Sequence, residues 1–448
     1  MPMNFDIELT STPITSHAGL AFIGEKLSEA KFERHMETIG PANTRSDRMA
    51  DADLAKTMVG LICCGKPHYD AVGEYADDPY FPQVLGIEQL PSPEILRQRM
   101  EVLPAGAGKA FRGFTTRLLE KHPEYLAEKI QGKDRCVIHI DVSPMDNSGS
   151  NKEGVSCTYK KFDGYAPIFA YMGPHGFMLD NELRPGKRHC NGEGTKKWLK
   201  QVLRGAEKVA PAARLVVTDA GHDAAENLLL FAQTEDTDFL VRHNLRTQDP
   251  AAWLADAQRH TGVDNYQQVD PGARRWYGQR TVEVTHGQQQ ATIRQVWRAT
   301  ERIAGPDGQL LTEPEITIDA YWTSLGWPPA DIQAFYQQRG TSEQFHSEFK
   351  GDLDLERLPS GKFRANQHVL DLGMMAYNLL RLLGQQMLDS GLVPGRKAQS
   401  KRLRLRSVLQ NLIYMAGRVV RHARRRILRV FEGHGWAPAA LSLGRAPD

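Results

Sequence analysis

The spacing of apolar positions changes along this chain, and each change predicts a different kind of element. Over residues 1–130 the apolar side chains recur at helical intervals, as in EKLSEAKFERHM and DADLAKTMVGLICC, followed by a turn-rich stretch and LPSPEILRQRMEVL. Ser92 before Pro93 has the form of a cap and first helical turn. From Arg135 the pattern shortens to runs of strand formers, CVIHIDVS, VSCTYKKF and APIFAYMG, parted by Gly and Asn turns, which predict three strands in a meander. A helical stretch, TKKWLKQVLRGAEKV, comes next. It leads into the apolar strand RLVVTD, the helix AAENLLLFAQ and the strand DFLVRH. Strands followed by alternating helix and strand predict a mixed α/β sheet.

Between Asn244 and Gly326 the strand pattern returns in RTVEVTH, ATIRQVWRATER and EITIDAYWTSL. This block reads as an inserted β-rich subdomain rather than part of the first sheet. Within it Trp276, Tyr277 and Trp297 stand beside Arg274, Arg275, Arg294 and Arg298, so these aromatics either meet nucleic-acid bases or form the core of the block. A helix through FYQQRGTSEQFHSEFK, a loop, and a long Met- and Leu-rich core helix follow. The fold class expected is therefore α/β: a mixed sheet core with a β-rich insertion and helical N-terminal and C-terminal regions. Its segments are a helical N-terminal region at 1–130, the first part of the core at 131–243, the insertion at 244–326, the second part of the core at 327–390 and a basic helical region at 391–448. Short helices joined by turns in the first segment fit either a helix-turn-helix reader of DNA or a simple packing domain.

A length of 448 residues allows two or three domains with sizeable cores. No run of about 18 apolar residues occurs, and the first residues lack a basic flank followed by an apolar segment, so a cytoplasmic location without membrane association is expected. The five cysteines form no C-x-x-C pair, which points to reduced thiols; His175, His189 and Cys190 lack the spaced pairs of a zinc site. Net charge is only +2, yet from Arg396 to Arg429 every charged side chain is cationic, including Arg402, Arg404, Arg406, Arg421, Arg424 and Arg425. Such a run predicts a polyanionic partner, nucleic acid above all, although Leu403, Leu405, Val408 and Leu412 show that part of it packs.

The chemistry-bearing residues are acids at element ends. Asp141 and Asp219 each end an apolar strand, and Glu343 lies on a helix where, at about 100° per residue, Tyr336, Arg339 and Lys350 share its face. Three carboxylates brought together from such elements can hold paired divalent metals for phosphoryl transfer. Alone, each aspartate equally suits a turn cap, and Arg339 with Glu343 suits an i,i+4 ion pair. Arg339 and Lys350 are placed to grip phosphates, and Tyr336 to stack on a base or bond a phosphate. Asp146 and Asp223 compete as acids nearby. Glu348, about 140° round the helix from Glu343, is expected to face solvent. His139 shares the strand face of Asp141 and reads as a packed side chain.

At these residues the chain resembles the DDE transposases of bacterial insertion sequences, in the group whose last acid lies in a Tyr-x2-Arg-x3-Glu-x6-Lys signature, matched here by Tyr336, Arg339, Glu343 and Lys350. IHIDVSPMD with KKFDGYAPIFAYMG resembles that group's first-aspartate region, and VVTDAGHDAAENLL its second. The resemblance extends over most of the chain, most clearly from about 134 to 385. It implies a ribonuclease-H-like catalytic core, a β-strand insertion between the second and third acids, two magnesium ions with manganese as a substitute, and cut-and-paste movement of a DNA element. The implied partners are terminal inverted repeats and target DNA, bound by a homodimer in a synaptic complex, with the protein associated with the nucleoid. Two positions depart from the group, which more often has an acid at His139 and an aromatic at His222. Alternatives are a transposase-derived DNA-binding protein that no longer cuts, and a ribonuclease-H-like nuclease that does not integrate. A two-carboxylate glycosidase leaves the cationic run, Arg339 and Lys350 without a role.

Overall fold

A computed structural model describes residues 9, 14–37, 39, 49–104, 106–188, 190–192, 194–305, 308–395, 400–422 and 425–444. The chain forms two compact units, one from Leu118–Gly149 and Gly154–His346, the other from Met1–Arg117, Ser150–Glu153 and Ser347–Asp448.

In the first unit the strands are, in chain order, β1 (Glu128–Ile130), β2 (Lys133–Val142), β3 (Met145–Asp146), β4 (Ser156–Cys157), β5 (Asp163–Tyr165), β6 (Ile168–Met172), β7 (Phe177–Glu182), β8 (Ala213–Thr218), β9 (Thr237–Arg242), β10 (Gln267–Asp270), β11 (Ala273–His286), β12 (Gln289–Ala304) and β13 (Leu310–Thr323). One ten-stranded sheet runs β10-β11-β12-β13-β9-β8-β2-β6-β7, with β1 added to β2. Within it β2, β8 and β9 are parallel, and the other pairings are antiparallel. The parallel pairs need crossovers. The helices Thr195–Val209 and Ala225–Ala232 provide them, the first burying Trp198, Leu199, Val202, Leu203 and Ala206 along one stripe.

Two expectations are corrected in this unit. The run VSCTYKKF is not a third strand of the meander: it gives only the short β4, in a separate three-stranded sheet of order β3-β5-β4, and then a turn. The Thr158 amide and hydroxyl both donate to the Phe162 carbonyl, at 2.8 and 3.0 Å, which turns the chain back before it can pair further. The β-rich insertion is not separate from the first sheet. Tyr321, Trp322 and Thr323 of β13 pair with Arg242, Val241 and Leu240 of β9. The edge of β9 turned away from β8 would otherwise leave a row of backbone donors and acceptors unpaired, and β13 supplies their partners. The insertion also has its own core, in which Trp253, Trp276, Trp297, Ala299 and Ile318 pack together. Trp276 and Trp297 are therefore core residues; their indole nitrogens donate to the carbonyls of Val263 and Trp253.

In the second unit the 27-residue helix Phe363–Asp389 is buried along nearly its whole length and packs against the helix Asp51–Cys63. The Ser92 hydroxyl caps the helix Pro93–Val102 by accepting from the Ile95 amide at 3.3 Å, with Pro93 in the first turn. The basic C-terminal stretch, expected to be helical, has helices at Leu405–Val408 and Ala437–Leu443 but between them a hairpin of β14 (Gly417–His422) and β15 (Arg425–Val430). Val419 and Val420 face Leu428 and Ile427 across it, and such branched side chains favour a pleated surface over a helix. Among the described residues no helix is long and apolar enough to cross a membrane.

Candidate active site

The two aspartates are brought together by strand register. In the parallel pairing of β2 with β8, Ile140 lies opposite Thr218, so the next residues, Asp141 and Asp219, emerge side by side at the C-terminal ends of neighbouring strands. Strand alternation puts both on the sheet face that carries Val137, Leu215 and Val217. Those three residues pack with Ile332, Phe335 and Tyr336, so the helix Pro329–Gln337 covers that face. Its end reaches the acids. The Tyr336 hydroxyl donates to the Thr218 carbonyl at 3.3 Å, and Arg339 donates to the Ile140 carbonyl at 3.3 Å and to the Tyr336 oxygen at 2.9 Å. Arg339 Nη2 also stands 3.4 Å from Asp141 Oδ2.

Each acid has its own surroundings. Burial raises the Asp141 pKa; the Arg339 charge opposes that, and the neighbouring Asp219 adds to it. Burial pushes Asp219 up as well, but His222, Arg339 and the Gly221 amide outweigh it and hold the carboxyl below its usual value. His222 is fully buried, with Nδ1 3.0 Å from Asp219 Oδ1, and Gly221 donates to the same oxygen at 3.1 Å. His346 Nε2 lies 3.7 Å from Asp141 Oδ2. Burial, then the Arg339 charge, depresses His139 to about 3, so its ring is neutral and packed as its sequence position suggested.

Adjacent, electrostatically coupled carboxylate oxygens are the donor type that divalent magnesium or manganese takes, so Asp141 and Asp219 fit a shared cation. Glu343 is not gathered with them. It lies on the helix Gly340–Ser347, exposed, one turn beyond Arg339 and three residues before His346. Among the described residues no group of three or more His, Cys, Asp and Glu side chains forms a cluster that could hold a metal.

The single helix face expected from Tyr336 to Lys350 is also broken. The helix Pro329–Gln337 ends in a turn at Gln338 and Arg339, the next begins at Gly340, and Glu348–Asp352 is a π-helical segment. Gly340 directly after Arg339 weakens a continuous helix, and the π turn changes the angular step. Lys350 lies in that segment, paired with Glu356 at 2.9 Å. Glu348, expected at the surface, is buried, with Arg381 at 2.7 Å, Arg402 at 3.1 Å and the Leu405 amide at 3.0 Å. Asp352 accepts from Arg404 at 3.0 Å and from the Arg406 amide at 3.1 Å. Arg402 and Arg404 of the cationic run are therefore engaged within the fold. Arg406 also pairs with Asp352, at 3.7 Å, but keeps 64% of its side-chain surface exposed. Arg421 and Arg425 lie in β14 and β15, while Arg424 and His189 fall outside the described residues.

Other side chains at the site were not singled out from sequence. His346 carried a weak signal, three residues after Glu343 on the same helix. Tyr159 carried none, and Cys190 was weighed only as a zinc ligand; loops far apart in sequence bring both to Asp219. Tyr159 is 60% exposed; the burial of the remainder, then the charges of Asp141, Cys190 and Asp219, push its phenol up to about 12. Asp223, a competing acid, accepts instead from His243 and the Asn244 amide, at 2.8 and 2.7 Å.

A family model described as transposase DDE domain, group 1, matches residues 4–443. Among solved structures the chain is similar to the piggyBac transposase synaptic complex with hairpin DNA, determined by cryo-EM, at 11% identity and a TM-score of 0.39, over 91% of this chain and 82% of that one. No curated protein matches.

Proposed function

The chain belongs to the transposase DDE domain group 1 family, and from that premise we propose that it cuts DNA at the ends of an insertion sequence and joins them to target DNA by a cut-and-paste route. The observation that carries this reading is the placement of Asp141 beside Asp219 at the ends of parallel strands, with Arg339 against Asp141. The strand order β7-β6-β2-β8-β9, antiparallel across the first three and parallel across the last three, supports a ribonuclease-H-like core in which these are the first two acids.

In this reading Asp141 and Asp219 hold the metal, with Glu343 as the third carboxylate and two magnesium ions as the full complement. When bound, such ions neutralise charge on the phosphate and lower the pKa of water to generate a nucleophile. The chain's own residues do the rest. Arg339 fixes the position of Asp141, His222 and the Gly221 amide fix that of Asp219, and the buried neutral His139 adds no competing charge. Tyr336, Lys350 and the cationic residues Arg406, Arg421, Arg424 and Arg425 are assigned to DNA, with Arg402 and Arg404 supporting that surface through their ion pairs. The partners assigned are terminal inverted repeats, target DNA and a second copy of the chain.

Incubating the full chain with magnesium and a duplex carrying the inverted repeats that flank its gene tests the assignment. Cleaved ends and joined products are the expected result. Cleavage without joined products would indicate a nuclease, and DNA binding without cleavage a protein that has lost its chemistry.

A further inference from the structure

A cavity of about 530 Å³ opens beside Asp219, and the chemistry above makes no use of its other walls. Tyr159 and Lys161 come from the turn after β4, Lys187 and Arg188 from the loop after β7, and Cys190 lies next to Asp219 at the edge. Both loops are built rather than loose. The Thr158 and Lys161 amides close the turn onto the Phe162 and Thr158 carbonyls at 2.8 and 3.0 Å, and Lys161 is held at φ 67, a left-handed conformation rare for a side-chain-bearing residue. The Lys187 amide donates to the Ser156 hydroxyl at 3.0 Å. That approach depends on Gly186, where a Cβ would stand 2.0 Å from the Ser156 carbonyl oxygen. The two loops are thus tied to one small sheet and present a fixed set of groups.

Those groups are a largely exposed aromatic ring and three cations, of which Arg188 is partly committed to Glu182 at 3.3 Å. Lysines meet phosphate oxygens, and an aromatic ring stacks on any base without regard to sequence. The volume lies within the range of pockets that enclose one small ligand, so it suits one nucleotide and excludes a base-paired duplex. We propose that this cavity is a subsite for a single unpaired nucleotide of the DNA strand being processed, its phosphate met by Lys161 and Lys187 and its base stacked on Tyr159. The assignment rests on the DNA-processing reading and adds to it the form of DNA that approaches Asp219.

Cysteine labelling tests it on the full chain without relying on catalysis. Cys157, exposed, lines the cavity, while Cys63, Cys64 and Cys136 are buried and serve as internal controls. Maleimide labelling of Cys157, followed by mass spectrometry, is compared with thymidine 3′,5′-bisphosphate, with a duplex bearing a short single-stranded overhang, and with the same duplex blunt. Base stacking predicts labelling about tenfold slower with the overhang and unchanged with the blunt duplex. Tyr159→Ala should abolish the protection and Tyr159→Phe retain it. Lys161→Gly, which suits the left-handed backbone, should weaken protection by the bisphosphate without disturbing the turn. Equal protection by the blunt duplex, or protection that survives Tyr159→Ala, overturns the subsite. Protection by the bisphosphate in a protein that never cuts DNA keeps the subsite and rejects the transposase reading; cutting without protection does the reverse.

Discussion

The Arg339 guanidinium stands 3.4 Å from the Asp141 carboxylate while donating to the Ile140 carbonyl one residue earlier on the same strand. One side chain therefore fixes the strand end and sets a cation beside two neighbouring acids. Burial would lower the Arg339 pKa, but Tyr336, Asp141 and Asp219 outweigh it, so the charge is permanent.

Arg339→Ala should therefore leave Asp141 beside Asp219 without its nearest cation, with only His222 and the Gly221 amide still acting on Asp219, at a loss of about 2–4 kcal/mol of stability. A divalent cation would then replace the missing charge, and because it binds only the folded state it raises the melting temperature. The expected result is a larger magnesium-induced rise in melting temperature for the variant than for the parent, with Arg339→Lys between them. Equal rises would show that Arg339 does not compensate the pair.

Glu343→Gln removes a carboxylate that is exposed and has no structural partner among the described residues. Stability and DNA affinity should be unaltered, while strand cleavage falls by about a hundredfold or more, the scale of losing one group that acts on transition-state charge. Unchanged cleavage would remove Glu343 from the catalytic set.

The helix that carries Glu343 is seated on a glycine. Gly176, at φ 68 in the β6–β7 turn, lies under the Phe345 ring, and a Cβ there would stand 2.4 Å from the ring carbons. Gly176→Ala should displace Phe345 and strain the turn, costing about 1–3 kcal/mol and reducing cleavage in step with Phe345→Ala. Denaturant melts and cleavage rates on the two variants check this.

The acid pair was legible in the sequence because it needed only local information: two apolar runs, each ended by an aspartate, become neighbours once the runs form adjacent parallel strands. Glu348 is buried rather than solvent-facing because the helical step is not constant there and because its partners, Arg381 and Arg402, come from elements 33 and 54 residues away. The joining of β13 to β9 was hidden too, since which strand covers an open edge depends on the assembled sheet rather than on either segment. The placement of Glu343 apart from the aspartates has no account in the sequence.

The cationic run should divide by experiment. Arg402→Ala leaves the buried Glu348 with one guanidinium fewer and should lower the melting temperature with little change in the salt dependence of DNA binding. Arg406 is mostly exposed, so Arg406→Ala should spare stability and reduce the slope of log affinity against log salt by about one. A reversed pattern would mean that Arg402, not Arg406, meets the phosphate backbone.

Acid should destabilise the fold in two separable windows. Burial, then the Arg364 and Arg112 charges, depresses His368 from 6.5 to about 4, and Arg112 in turn lies 3.7 Å from Asp371. The folded ring is thus neutral where the unfolded one is protonated. Between about pH 4 and 6.5 the unfolded chain binds more protons, so stability rises with pH across that window and falls on acidification, by roughly 3 kcal/mol in full. For Glu348, burial pushes the carboxyl up but Arg381 and Arg402 outweigh it and hold it below its ordinary value. Its contribution is present above the unfolded carboxylate pKa and is lost only as pH drops through the lower folded value. His368→Leu should therefore flatten the loss of stability between pH 6.5 and 4 and leave the steeper loss below it. Glu348→Gln should be destabilised at every pH, since Arg381 remains buried with its carboxylate partner gone, and should lose the lower limb alone. Urea melts across pH 3–8 distinguish the two, and an unaltered upper limb in His368→Leu would assign that window to another group.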